Sequence, residues 1–253
     1  MAVRGGKMRI IISPAKKMNV DTDSLPCQGT PAFIEDTKIL LEKLKSMSYP
    51  QLKNLWKCND AIAQLNFERI NTADLSRSLT PAVLSYEGIQ YQYMAPSVFS
   101  SDELAYITEN LRILSGFYGV LRPFDGVIPY RLEMQAKLET DRGADLYSFW
   151  KDKIAQQLAD ETDCIINLAS KEYSRAVSKY LTEKTRFITC TFAQEKDGKL
   201  IEKGTACKMA RGEMVRFMAE NSITDLEQIK NFDRQNYRYS RVHSTADNFV
   251  FIR

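Results

Sequence analysis

The sequence predicts one mixed domain of α+β class, and three observations lead there. Residues 9–12 and 164–168 are short continuous apolar runs of the kind that form buried strands. Between and after them, apolar residues recur at helical spacing. The strands are spread along the chain rather than alternating strictly with helices, which separates this pattern from a doubly wound one. A chain of 253 residues, 44% hydrophobic and 26% charged, is long enough to bury a large core in one body.

Each element has its own signal. Residues 9–12 run into Ser13-Pro14, where Ser13 is placed to cap a helix or turn and Pro14 to open it. Residues 31–47 carry Phe33, Leu40, Leu41, Leu44 and Met47 on one helical face, and Ser48-Tyr49-Pro50 opens a second helix through Leu52 and Trp56. A third helix is expected over 60–70 and a strand over 83–86. Ser100-Ser101-Asp102-Glu103 has capping-box spacing, and Leu104, Ile107, Leu111 and Leu114 extend that helix to Ser115-Gly116. Asp145 caps a helix containing Phe149, Trp150, Ile154 and Leu158. The strand at 164–168 empties into a helix opened by Ser170. Residues 186–192 and 199–203 form a hairpin around Asp197-Gly198, and a helix over 205–220 and a short one over 224–230 precede an irregular tail. Residues 1–7 add no hydrophobic pattern and are set apart as an N-terminal extension without expected order, leaving 8–253 as the domain.

Composition removes several function classes. Five cysteines without a C-x-x-C pair read as reduced, mostly buried thiols, and the single histidine, His243, forbids a multi-histidine metal site. Any Ser/His/Asp or Cys/His device would have to use that one histidine. No metal and no cofactor is expected. With no long apolar run and no signal-peptide pattern, the chain reads as cytoplasmic, with no membrane partner and as a monomer. The net charge of +3 is uneven: residues 1–20 carry five bases and no acid, and residues 228–253 carry five bases against Asp233 and Asp247. Basic ends on an acidic middle suggest a polyanion-binding face if the ends meet, and otherwise a solvated start and tail.

Four segments carry candidate chemistry. At Asn167, Ser170, Glu172 and Tyr173 a buried strand meets a helix N-terminus, whose free amides and dipole suit an anion, although an ordinary capped helix has the same sequence. Ser13-Pro14-Ala15-Lys16 repeats the arrangement with a lysine but without the glycines of a P-loop. On the helix over 205–220, a rotation of about 100° per residue groups Lys208, Arg211 and Arg216 in one arc of about 140° that includes Gly212. That glycine admits either a ligand or the backbone of a neighbouring element. Finally, Gly116-Phe117-Tyr118-Gly119 between helical segments would form a helix-hairpin-helix-like turn presenting amides to phosphate, and Asp125, Arg131 and Glu133 follow as a possible acid/base group.

Taken in order, Ile12-Ser13-Pro14-Ala15-Lys16, Leu114-Ser115-Gly116 with Tyr118 to Pro123, Pro129-Tyr130-Arg131-Leu132-Glu133-Met134, Leu146-Tyr147 with Phe149-Trp150, Asn167-Leu168-Ala169-Ser170 with Glu172-Tyr173, and Lys208 with Ala210-Arg211-Gly212 resemble the YaaA family of bacterial peroxide-stress-response proteins. The resemblance runs from Met8 to about Phe251. It implies a compact α+β domain of unusual topology with a helix-hairpin-helix element and a basic cleft. The implied activity is binding of double-stranded DNA with little sequence specificity, limiting oxidative damage and intracellular iron. Lys16, Arg122, Arg131, Lys208 and Arg211 are the implied DNA-binding residues. The chain departs from the family pattern at the 1–7 extension, at Met209 and at Ser240. The competing expectation is an enzyme acting on a nucleobase or glycosidic bond in the same cleft, with Ser13, Asn167, Ser170, Glu172 and Tyr173 as its polar groups.

Overall fold

The computed structural model describes residues 8–253, so the extension expected at 1–7 lies outside the described residues. Its centre is a sheet of eight strands: β1 (Met8–Ile12), β2 (Leu111–Ser115), β3 (Gly119–Leu121), β4 (Cys164–Leu168), β5 (Arg186–Lys196), β6 (Lys199–Ile201), β7 (Arg238–Tyr239) and β8 (Asn248–Ile252). The order across the sheet is β7-β8-β5-β4-β1-β2-β3, with β6 paired to the long β5. Every neighbouring pair from β8 to β2 is parallel, and the outer pairs β7-β8 and β2-β3 are antiparallel.

The class is therefore closer to a mainly parallel α/β sheet than to the expected α+β arrangement. The alternation is hidden in the sequence because 98 residues, holding five of the helices named here, separate β1 from its neighbour β2. Those helices are α1 (Ile34–Lys45), α2 (Tyr49–Trp56), α3 (Asp60–Asn71), α4 (Ile89–Met94) and α5 (Ser101–Asn110). After the sheet's middle come α6 (Lys153–Glu161), α7 (Lys171–Ser178) and α8 (Gly204–Glu220), the last packed against α4, α5 and β5. All five residues of β1 are buried, as a strand flanked on both sides must be.

Local signals account for most boundaries. Ser48 and Gln51 form a capping box on α2, and Ser100 and Glu103 form one on α5. Asp145 accepts from Ser148 N to start a single turn at Leu146–Trp150. The expected continuous helix then breaks at Lys151, which has φ 46°, before α6. Asp197 and Gly198 both have positive φ, 52° and 71°, which fits the tight β5-β6 turn.

Five expectations are corrected. The α5 helix stops at Asn110, and residues 111–115 are β2; a run that is buried on every side satisfies both the helical and the strand pattern. Gly116 to Gly119 is consequently a turn between β2 and β3 rather than between helices. Its amides are also occupied, since Phe117 N and Tyr118 N donate to Ser115 Oγ at 3.1 and 2.9 Å. Residues 83–86, expected as a strand, are mostly the short helix Ala82–Ser85. The tail is not irregular, because β8 completes the parallel sheet beside β5. Of the five thiols, only Cys190 and Cys207 are buried, and Cys27 is exposed.

Candidate functional site

From the centre of the sheet, β1 is flanked by β2 on one side and by β4 on the other, and the chain after β4 continues away through β5. Connections leaving β1 and β4 thus diverge, and a crevice opens beyond their carboxyl ends. Such divergence points are where open parallel sheets place ligands. Here the floor is made by Ser13, following β1, and Ser170, which precedes α7. Ser170 N donates to Ser13 Oγ at 2.8 Å, and the two hydroxyls lie 3.2 Å apart.

Three other segments close around that floor. Residues Lys17–Met18 pair with Tyr86–Glu87, which brings the start of α4 over the loop after β1. Tyr91 OH then donates to Ser13 O at 3.0 Å. From the opposite side comes the stretch containing Tyr130 to Glu133. Its approach requires Gly116, where a Cβ would lie 2.6 Å from Leu132 O. Tyr130 OH is anchored below by Ser115 Oγ at 2.6 Å and Tyr86 OH at 2.8 Å. The remaining wall is α8, through Lys208 and Arg211. Gly212 serves this packing: a Cβ there would collide with the backbone oxygen of Gln90, so of its two sequence readings the neighbouring backbone is the one found.

The open pocket between them has a volume of about 490 Å³. It gathers Ser13, Lys16, Arg131, Ser170, Glu172, Tyr173, Lys208 and Arg211 of the sequence candidates, with Gln90 and Tyr91 as members the sequence reading missed. Nothing local marks those two, because α4 itself is absent from the sequence expectation. Four candidates fall outside: Asn167, Arg122, Asp125 and Arg216. Asn167 is buried beneath, bonding Ala169 N and Thr189 Oγ1 and so holding the end of β4. Arg122 follows β3, whose antiparallel register sets Leu121 opposite Ile113 and carries Arg122 toward the amino ends of the strands, away from the crevice. Arg216 also leaves the arc, pairing with Glu220 at 2.7 Å.

The electrostatics are mixed, with five lysine and arginine side chains against three glutamates on the lining. Glu133 bridges Lys16 at 2.8 Å and Arg131 at 3.2 Å, and Lys17 pairs with Glu87 at 2.7 Å. Among the described residues, no carboxylate lies within ion-pair distance of Lys208 or Arg211, and the Nε atoms of Arg211 and Arg131 and Nε2 of Gln90 are buried without an acceptor. Burial holds the Arg211 guanidinium below the usual arginine range. Glu172 accepts from Gln135 N at 3.2 Å, yet burial still raises its carboxyl above the ordinary glutamate value. Burial likewise raises the Tyr173 phenol well above its normal value. The Lys16–Glu133 pair also lines a second cavity of about 600 Å³, edged by Trp56, Lys57 and Lys137.

The lining thus combines exposed lysines, the arginines Arg131 and Arg211, three glutamates, tyrosines and the Gln90 amide. Among the described residues no three His, Cys, Asp or Glu side chains gather as a metal site, and no helix is long and apolar enough to cross a membrane. Comparison with known proteins covers nearly the whole chain. Curated UPF0246 proteins of Lachnoclostridium phytofermentans and Desulfitobacterium hafniense are 54% and 55% identical to it over 246 residues, covering 97% of this chain and 96% and 98% of the relatives. A third, from Pediococcus pentosaceus, is 52% identical over 246 residues. The family model described as peroxide stress protein YaaA matches residues 8–243, and with these relatives it makes the chain a member of the YaaA peroxide stress protein family.

Proposed function

We propose that this protein acts in peroxide stress by binding nucleic acid, with the phosphate backbone drawn to the crevice between β1 and β4. The observation that carries this reading is the pair Lys208 and Arg211 on one face of α8, uncompensated by any carboxylate within ion-pair distance among the described residues, at a divergence point of a parallel sheet. A half-buried guanidinium with one N–H withdrawn from water and unpaired is costly to maintain unless an acceptor completes it. Lys16 and Arg131 add charge already tied to Glu133, so they orient the wall and contribute less to counterion release. Phosphate contacts of this kind position a duplex without reading its sequence.

The enzyme reading retains one favourable observation, the half-buried Glu172 carboxyl with its raised pKa at the edge of the same cavity. Binding is the simpler reading because it uses the unpaired cations directly. Titrating a mixed-sequence duplex by fluorescence anisotropy tests it. Lys208→Glu should weaken binding by about tenfold or more, since it replaces an attractive phosphate contact by repulsion. Arg122→Ala, changing an exposed residue at the far end of the strands, should leave affinity within about twofold. Equal losses from the two variants, or none from Lys208→Glu, would move the interface off this crevice.

A further inference from the structure

A cavity of about 490 Å³ falls in the range of pockets that enclose a single small ligand. A double helix, whose major groove alone is about 12 Å wide, cannot enter it. Building on the nucleic-acid reading above, we infer that the pocket receives one nucleotide turned out of the base stack, with its base inside and its phosphate at the opening.

The lining is divided in the way such a ligand is divided. Lys208 is exposed and Lys16 keeps 63% of its side chain accessible, so these two cations lie at the rim. Deeper in, Tyr91 at 5% exposure and Tyr173 at 6% supply aromatic surface beside Arg131, Arg211 and Glu172. Gln90, 7% exposed, keeps an amide nitrogen that has no acceptor. A buried donor of this kind is costly until an acceptor arrives. The edge of a nucleobase supplies carbonyl oxygens and ring nitrogens, and its faces suit tyrosine walls. An inorganic phosphate would meet the rim cations but would leave Gln90 and the tyrosines unused. α8 and α4 hold the two halves together, since Gly212 on the helix carrying Lys208 and Arg211 packs on the backbone of Gln90 itself.

The experiment compares three short duplexes on the full-length protein: one fully paired, one with a single bulged nucleotide, and one whose bulge is abasic. A bulged nucleotide is already unstacked, so it should bind about tenfold tighter than the paired duplex. The abasic bulge bends the helix similarly but has no base, and should gain little. Gln90→Met, similar in size but without the amide, should close most of the gap between the base-bearing and abasic bulges. If the abasic bulge binds as tightly as the base-bearing one, the protein senses bending and the inference falls. Should all three bind equally, salt-dependent duplex binding stands while the nucleotide pocket is overturned; binding to none of them overturns both. The duplex comparison needs only the unaltered protein, so it decides the matter even if Gln90→Met fails to fold.

Discussion

Arg211 shows most clearly how this site opposes stability. Its side chain is half-buried, its Nε is buried without an acceptor, and among the described residues Glu202 acts on it only from beyond ion-pair distance. Replacing it with methionine keeps the aliphatic volume and removes the half-buried charge. Arg211→Met should therefore raise the unfolding temperature, by about 2–4 °C for each kcal/mol gained, while weakening duplex binding about tenfold. A variant that loses both would mark Arg211 as a structural residue. Asp125 supplies a second, independent test far from the crevice. It is buried, accepts from Arg122 N at 2.8 Å, and burial raises its pKa to about 6 from 3.8. The folded state then binds more protons than the unfolded one between these values, so Asp125 costs stability progressively as pH rises from about 4 to 6. Asp125→Asn can keep the hydrogen bond to Arg122 N through its carbonyl. Thermal melts should show its advantage over the parent growing across that interval, on the order of 2 kcal/mol in total. An advantage that does not change with pH would remove the assigned cause.

Among the elements, the contact of α8 with α4 decides the shape of the pocket. Gly212→Ala places a methyl group against Gln90 backbone, which cannot swing aside, so the helices must separate. The expected cost is about 1–3 kcal/mol with a parallel loss of binding, because Gln90, Lys208 and Arg211 all ride on these two helices. Gly204→Ala is the control at the first residue of the same helix: nothing lies within 4 Å of its would-be Cβ, and it should leave stability unchanged to within about 0.5 kcal/mol with binding intact. Measuring both variants by thermal unfolding and anisotropy isolates the packing effect. The same helices show what the sequence revealed and what it concealed. α8 was legible from its cations and its glycine, whereas α4 is only six residues long and carries no cap or amphipathic period to announce it. β2 was hidden by an ambiguity of pattern: Leu104, Ile107, Leu111 and Leu114 keep helical spacing across a boundary that only the backbone turn at Leu111 creates.

At the level of the molecule, the crevice is a product of topology rather than of any motif. Ser13 and Ser170 are 157 residues apart in the chain, and parallel pairing of β1 with β4 brings them into contact. The sequence marked both strand ends as ligand sites, and that part of the reading needed only local signals. That they form one site, and that Arg122 belongs elsewhere, depends on strand order and hairpin register, which composition and periodicity do not encode. The helix-hairpin-helix expectation failed for the same reason: a Gly-x-x-Gly turn looks alike between strands and between helices. The most direct test of the account is the salt dependence of duplex affinity. With two to four cations meeting phosphates, log affinity against log salt should have a slope of about −2 to −4, and Lys208→Ala should reduce its magnitude by about 0.9. A flat response, or a slope untouched by Lys208→Ala, would contradict binding of nucleic acid at the crevice between β1 and β4.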